Sequence, residues 1–182
     1  MITLKDCAAS LRDAPKRAAF LRAWNGWRGE DPYPPLNAVK PEDIGPALSC
    51  IIVFEAAAPD KIMIRLAGTQ FYEMLGREIT GENFVDLAAP HQRETRIEHY
   101  SNYMAYPCGA KWSTDFVKSN GLRVAVEGVV LPVGPRVPGG PLRMYAAFDF
   151  TSDKKDIGNK PMDMIPPAHD LTYVDIGYGA PE

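Results

Sequence analysis

A chain of 182 residues, 46% hydrophobic and 24% charged, suits one domain with extensions and rules out a disordered chain or a fibrous repeat. Twenty Lys+Arg against 23 Asp+Glu leave a formal charge of -3 with no local basic cluster, which argues against a surface that tracks nucleic-acid phosphates. The longest apolar run, residues 129–133, falls far short of the roughly 20 residues a membrane-crossing helix needs, and no cleavable leader pattern opens the chain. A cytoplasmic protein with no membrane partner is expected. Cys7, Cys50 and Cys108 are odd in number and lack CxxC spacing, so reduced, partly buried thiols are expected rather than a disulfide framework or a thiolate metal site.

Seventeen prolines punctuate the chain between periodic segments, where a missing N–H does least harm. The first readable element is residues 15–28, with Asp13 as the expected N-cap, Pro15 in the first turn and Gly29 at the end. Phe20, Trp24 and Trp27 recur at i, i+4 and i+7 and give this helix one aromatic face. A short polar segment follows at residues 40–46. Residues 48–55 then form a β-branched apolar run of strand length, and Ile62, Ile64 and Leu66 alternate with Met63, Arg65 and Ala67. Two adjacent strands are expected there. Gly68-Thr69 opens a helical turn that Thr69 would cap and Gly76 would close, with Phe71, Met74 and Leu75 on its apolar side.

Residues 77–90 read as a loop anchored by Phe84, Val85 and Leu87. A longer helix, about residues 90–106, carries Ile97, Tyr100 and Met104 at i, i+3 and i+7. Three strand-like segments follow, at residues 112–118, 122–133 and 142–151. In the second, Leu122, Val124 and Val126 share a face, Glu127-Gly128 interrupts, and Val129, Leu131 and Val133 resume with opposite parity, which predicts a bulge. In the third, Leu142, Met144, Ala146, Phe148 and Phe150 face away from Arg143, Tyr145, Ala147 and Asp149. The expectation is an α+β sandwich: five antiparallel strands with the inserted helices gathered on one face. Residues 1–46 would be an N-terminal helical extension, 47–152 the sheet domain, and 153–182 a C-terminal tail in which 170–177 is a candidate extra strand.

Several short signatures occur in order: Trp24-Asn25-Gly26-Trp27-Arg28-Gly29, the prolines at 32 and 35, residues 41–44, Arg65-Leu66-Ala67-Gly68-Thr69 and Gly76-Arg77-Glu78-Ile79-Thr80-Gly81. Together they resemble a family of small bacterial PAS-like proteins, over about residues 20–149. That family carries Asp-Leu where Glu78-Ile79 stands here. The resemblance implies a PAS-like sheet and a stand-alone sensory or regulatory module. It supplies no catalytic residue and no cofactor is assigned.

A curved sheet facing inserted helices leaves a concave space, and ligand pockets are largely apolar with a few directed polar groups. Ile64, Leu66, Phe71, Phe84, Ile97, Tyr100, Phe116 and Phe148 are the expected lining, with Tyr100 and Tyr103 as polar handles; the alternative is a core filled by these same side chains. Gly68-Thr69 is read as a tight turn rather than an anion site. His91 and His99 lie two turns apart on the long helix without an accompanying metal-ligand set, and are read as surface or capping residues. No cysteine sits in the Asn-Cys-Arg-Phe-Leu-Gln context of light-sensing PAS relatives. No Ser lies in GxSxG, and Glu127 is expected to face solvent, so no catalysis is expected. The aromatic stripe packs either on its own sheet or in a homodimer through the N-terminal helix, the latter being expected from the habits of PAS-like modules. Three functions stay open: a sensory module that holds a small ligand or an output protein, a dimeric interaction adaptor acting through helix and tail, and a small enzyme of α+β cone type.

Overall fold

The computed structural model describes residues 1–117, 121, 123–150 and 162–181. Strand β1 (Ile2–Thr3) leads into helices α1 (Leu4–Ala9) and α2 (Pro15–Arg28), and a short α3 (Pro41–Ile44) precedes a 3-10 segment, Gly45–Cys50. Strands β2 (Ile51–Ala58) and β3 (Lys61–Ala67) are followed by α4 (Thr69–Leu75), the 3-10 turn Pro90–Gln92 and α5 (Arg93–Ala105). Strands β4 (Gly109–Val117), β5 (Arg123–Val133), β6 (Arg143–Phe150) and β7 (His169–Asp175) complete the order. Leu122 and residues 151–161, which include the first part of the expected tail, lie outside the described residues.

The class is α+β, as the PAS-like resemblance implies, but the sheet has seven strands in the order β1-β7-β4-β5-β6-β2-β3. The five central strands are those read from the alternation, and all their pairings are antiparallel. The tail strand adds to the free edge of β4, antiparallel, and the two-residue β1 pairs with it in parallel. The tail strand falls where residues 170–177 suggested one, and main-chain hydrogen bonds carry the added edge.

The inserted helices α4 and α5 lie over one face of the sheet, as expected, and α2 covers the other. On the outer face, Phe20 and Trp24 of α2 are fully buried and Trp27 nearly so. The Trp24 indole N–H donates to the Pro132 carbonyl at 2.7 Å, and the Trp27 indole donates to Asp43 at 2.8 Å. The aromatic stripe is therefore spent on the chain's own sheet. Asp13 does not cap this helix; the N-cap is Ala14, whose side chain bonds nothing. The cap comes from the sheet: the Asp149 carboxylate accepts from the Lys16 and Arg17 amides at 3.4 and 3.1 Å, satisfying N–H groups that a helix start leaves free. Arg17 is itself buried, with its Nε 3.1 Å from Asp149 and Nη2 2.6 Å from Glu127, whose side chain is half exposed.

That double cover explains the parity change in β5. The strand pairs with β4 and β6 with no register shift, so the expected bulge at Glu127-Gly128 is absent. Val129 and Leu131 are buried under α2 and Val130 toward the opposite face, because this half of the strand is covered on both sides. Gly128 serves a different purpose: a Cβ there would lie 2.2 Å from the Trp112 ring, which crosses the sheet at that point. The register does shift in the β2–β3 pair, between Val53 and Phe54. This bulge turns Leu66 opposite Val53 and leaves it 42% exposed, while Ile62 and Ile64 stay fully buried.

At α4 the N-cap is Gly68 and makes no side-chain bond, so Thr69 opens the helix rather than capping it. Gly68 has an ordinary φ of -65°. It must be glycine because a Cβ would sit 2.4 Å from the Ser49 carbonyl oxygen. Gly76 closes the helix in the left-handed region, as its position suggested.

Candidate functional site

The inner face of the sheet does not meet its helices everywhere. A cavity of about 210 Å³ lies between β2, β4, β5 and β6 below and α4, α5 and the tail above. Its floor is set by one cross-strand row in which Ala146 stands between Ile52 and Val130. A single methyl in mid-sheet leaves the depth that a larger side chain would occupy. Trp112, Thr114 and Phe116 of β4 bound it on one side, and Phe71 and Met74 of α4 on the other. The roof is the tail stretch 165–168 with Leu171. That stretch is tied down by the Ile165 amide bonding the Leu87 carbonyl at 2.7 Å and by the Thr114 hydroxyl donating to the Pro167 carbonyl at 2.7 Å.

Helix α5 turns a polar stripe to this space. Gln92 at its N-cap, then Thr95, Arg96, His99, Tyr100 and Tyr103, all line the cavity, at the three- and four-residue steps that stack side chains on one helical face. Arg96 is 9% exposed. Its Nη1 donates to the Phe84 carbonyl at 2.7 Å and its Nη2 to the Ile165 carbonyl at 3.0 Å, with a longer contact to Pro166 at 3.5 Å. The guanidinium lies 4.0 Å from the centre of the Phe84 ring. No described carboxylate pairs with it, and burial alone draws its pKa down to about 10, so it stays a cation at neutral pH. Burial also lowers the pKa of His99, Glu98 and Arg96 being the nearby charges. Tyr100 and Tyr103 are pushed up, again chiefly by burial. The Tyr100 hydroxyl is buried near the Ala56 backbone without forming a well-shaped hydrogen bond.

Of the residues expected to line a pocket, Phe71, Phe84, Tyr100, Tyr103 and Phe116 border the cavity. Leu66 does not, because the β2–β3 bulge turns it to solvent. Ile97 lies beside the inward stripe of α5 and is only half-buried. Phe148 and Ile64 are fully buried but belong to solid core; the Phe148 ring packs 4.4 Å from Phe71 and 5.3 Å from Phe150, centre to centre. Arg96, Thr95, His99, Trp112 and Thr114 were missed. Stepping by helical periods from Tyr100 in both directions finds the α5 members, a step that the reading of His99 as a surface or capping residue forestalls.

None of the three cysteines borders the cavity; all are buried and free, and burial pushes the Cys108 thiol up to about 12. At the sheet edge, Ser113 Oγ and an Asp170 carboxylate oxygen lie 3.1 and 2.9 Å from His169 Nδ1. Both contacts fall on one ring nitrogen, so the imidazole cannot pass a proton from one partner to the other as a hydrolase triad requires. Among the described residues no group of three His, Cys, Asp or Glu side chains could hold a metal ion, and no helix is long and apolar enough to cross a membrane.

No curated protein matches this chain. Solved structures resemble it distantly. The LOV protein of Rhodobacter sphaeroides shares 15% identity over 59% of this chain and 61% of its own length, with a TM-score of 0.44. The chain thus spans about three fifths of that protein. The PAS domain of Bordetella pertussis BvgS shares 12% over 58% of this chain and 79% of its own, with a TM-score of 0.45. A variant of the Drosophila melanogaster Cycle PAS-B domain with bound glycerol shares 11% over 56% and 98%, with a TM-score of 0.40. The PAS domain family signature matches residues 12–144, a span that runs from before α2 into β6, and on that match the chain belongs to the PAS domain family.

Proposed function

We propose that this chain is a sensory or regulatory module that holds a small molecule in the inner-face cavity and makes or breaks no bond of its own. The cavity over Ala146 carries this reading, because a sheet built for packing alone would fill that row. Its 210 Å³ exceeds the roughly 150 Å³ that encloses a benzene and falls below the ~300–1,000 Å³ of drug-sized sites, which fits a ligand of one ring or a short chain. Occupancy would be felt by residues 165–168, which roof the cavity and lead directly into β7. A ligand that favours one position of this strap shifts the surface an output protein sees.

Native mass spectrometry of the purified protein, followed by melting curves with small aromatic compounds, tests the proposal. A co-purified mass or a ligand-dependent rise in Tm, abolished in Ala146→Leu, supports it. A ligand response that survives Ala146→Leu unchanged places binding elsewhere and overturns it. The same spectrum counts subunits. A homodimer through the N-terminal segment would use surfaces other than the aromatic face of α2, which is inside the chain, such as the groove between Leu4, Ala8, Ala18 and Leu21.

A further inference from the structure

The charge inventory of the cavity is one-sided. Among the residues that line it there is no Asp, no Glu and no Lys, while Arg96, His91 and His99 all border it. In a chain of net charge -3 this is not the sign that chance would place there. Elsewhere among the described residues Arg17 is matched by Asp149 and Glu127 and the half-buried Arg143 by Glu55 at 2.7 Å, whereas the half-buried Arg28 bonds the Ile176 carbonyl and lies over the Trp24 ring. Arg96 has only carbonyl oxygens. A guanidinium offers five N–H groups in a planar fork, and the two short carbonyl bonds and one long contact leave its Nε–H and one Nη1–H without a partner among the described residues.

We infer that the cavity takes a small organic acid, an apolar body bearing a single carboxylate, with Arg96 receiving the carboxylate and Thr95 and His99 beside it. The inference rests on the cavity being a binding site, as proposed above. A carboxylate accepts the side-on pair of Nε–H and Nη2–H bonds if the long 3.5 Å contact to Pro166 gives way, and a buried cation lacking a counter-ion gains more from an anion than from a neutral acceptor. The apolar body then lies along Phe71, Phe116 and Ala146, away from the cation. A phosphate ester fits less well. Its second negative charge would enter a space where burial works against the charged form of His99, and an unpaired buried charge is costly. A cationic ligand would meet Arg96 with no carboxylate to offset the repulsion.

The test is isothermal titration of the full chain at neutral pH with two matched pairs, benzoate against benzamide and hexanoate against hexanamide, with phenyl phosphate as a further probe. Each pair keeps shape and changes only the charge of the head group. The expected result is that at least one acid binds tenfold or more tightly than its amide and more tightly than phenyl phosphate. In Arg96→Gln the preference for acid over amide should shrink to within about twofold. Because Arg96 also holds the Phe84 and Ile165 carbonyls, that variant is checked for a native melting transition, and the wild-type acid-to-amide ratio stands without it. Amides binding as well as acids would overturn the inference while leaving the cavity reading intact, and would assign Arg96 to tying the tail alone. Binding of none of the five probes would overturn both.

Discussion

On the outer face of the sheet α2 lies flush: Phe20 and Trp24 are wholly buried, and Arg17, Asp149 and Glu127 pair among themselves. On the inner face α5 stands off over Ala146, presents a polar stripe, and buries an arginine with no carboxylate beside it among the described residues. The two faces share β5 and β6, so the strands and their register cannot account for the difference. What differs is how completely each face is filled and neutralised, and that separates the part of the molecule that supplies stability from the part that has kept room for something else.

The largest effect should come from the filled face. Trp24→Ala removes the largest fully buried side chain and its bond to the Pro132 carbonyl, and should cost about 3–5 kcal/mol in urea unfolding. A loss under about 1 kcal/mol would mean that α2 is an appendage, and the contrast would collapse. Asp149→Ala comes next. It strips the amides at the start of α2 of their acceptor and leaves Arg17 with only the half-exposed Glu127, at an expected cost of about 2–4 kcal/mol. Glu127→Gln, whose side chain reaches solvent, should cost well under half of that, about 1 kcal/mol or less.

The sharpest comparison uses neighbours in one strand. Ala146 and Ala147 are both buried, but Ala146 floors the cavity and Ala147, paired with Ile51 and Val129, faces α2. Ala147→Leu forces extra volume into packed surroundings and should destabilise by about 1–3 kcal/mol. Ala146→Leu has space to enter and should stay within about 0.5 kcal/mol of wild type or gain slightly. Equal losses at the two positions would show that the inner face is as full as the outer one.

The central sheet was legible in the chain because its signals are local. Ile62 and Ile64 alternate with Met63 and Arg65, Met144 to Phe150 alternate in turn, and glycine and proline mark the breaks. Helix α2 was legible for the same reason, through the spacing of Phe20, Trp24 and Trp27. What stayed hidden depends on distant partners. Asp149 caps a helix 132 residues away, and no window around Asp13 or Ala14 could reveal that. The bulge that turns Leu66 outward exists only in the pairing of β3 with β2, and the candidate strand at 170–177 carries no mark of the β4 edge it joins. The inward face of α5 was misassigned because hydrophobic periodicity marks solid core, whereas this face borders a cavity where Thr95, Arg96 and His99 have something other than core to meet.

The smallest expected effect is in pH dependence, where the two faces should part in different windows. On the outer face Glu55 is partly buried, which raises its pKa, but bonds from Arg143 and Arg65 outweigh this and hold it below its ordinary 4.5. A carboxyl that releases its proton more readily when folded stabilises above 4.5, and that contribution is lost as pH falls through the folded value. On the inner face burial lowers the pKa of His99 below its ordinary 6.5, with Glu98 opposing and Arg96 assisting. The unfolded chain then takes up a proton first, so stability is complete above 6.5 and declines as pH falls from there toward the folded value. Urea midpoints measured against pH should therefore show an early shallow decline that His99→Gln removes and a later one, below 4.5, that Glu55→Gln removes. If His99→Gln left the early decline untouched, the imidazole would be as well solvated as a free one, and the inner face would be open to water rather than a cavity shielded from it.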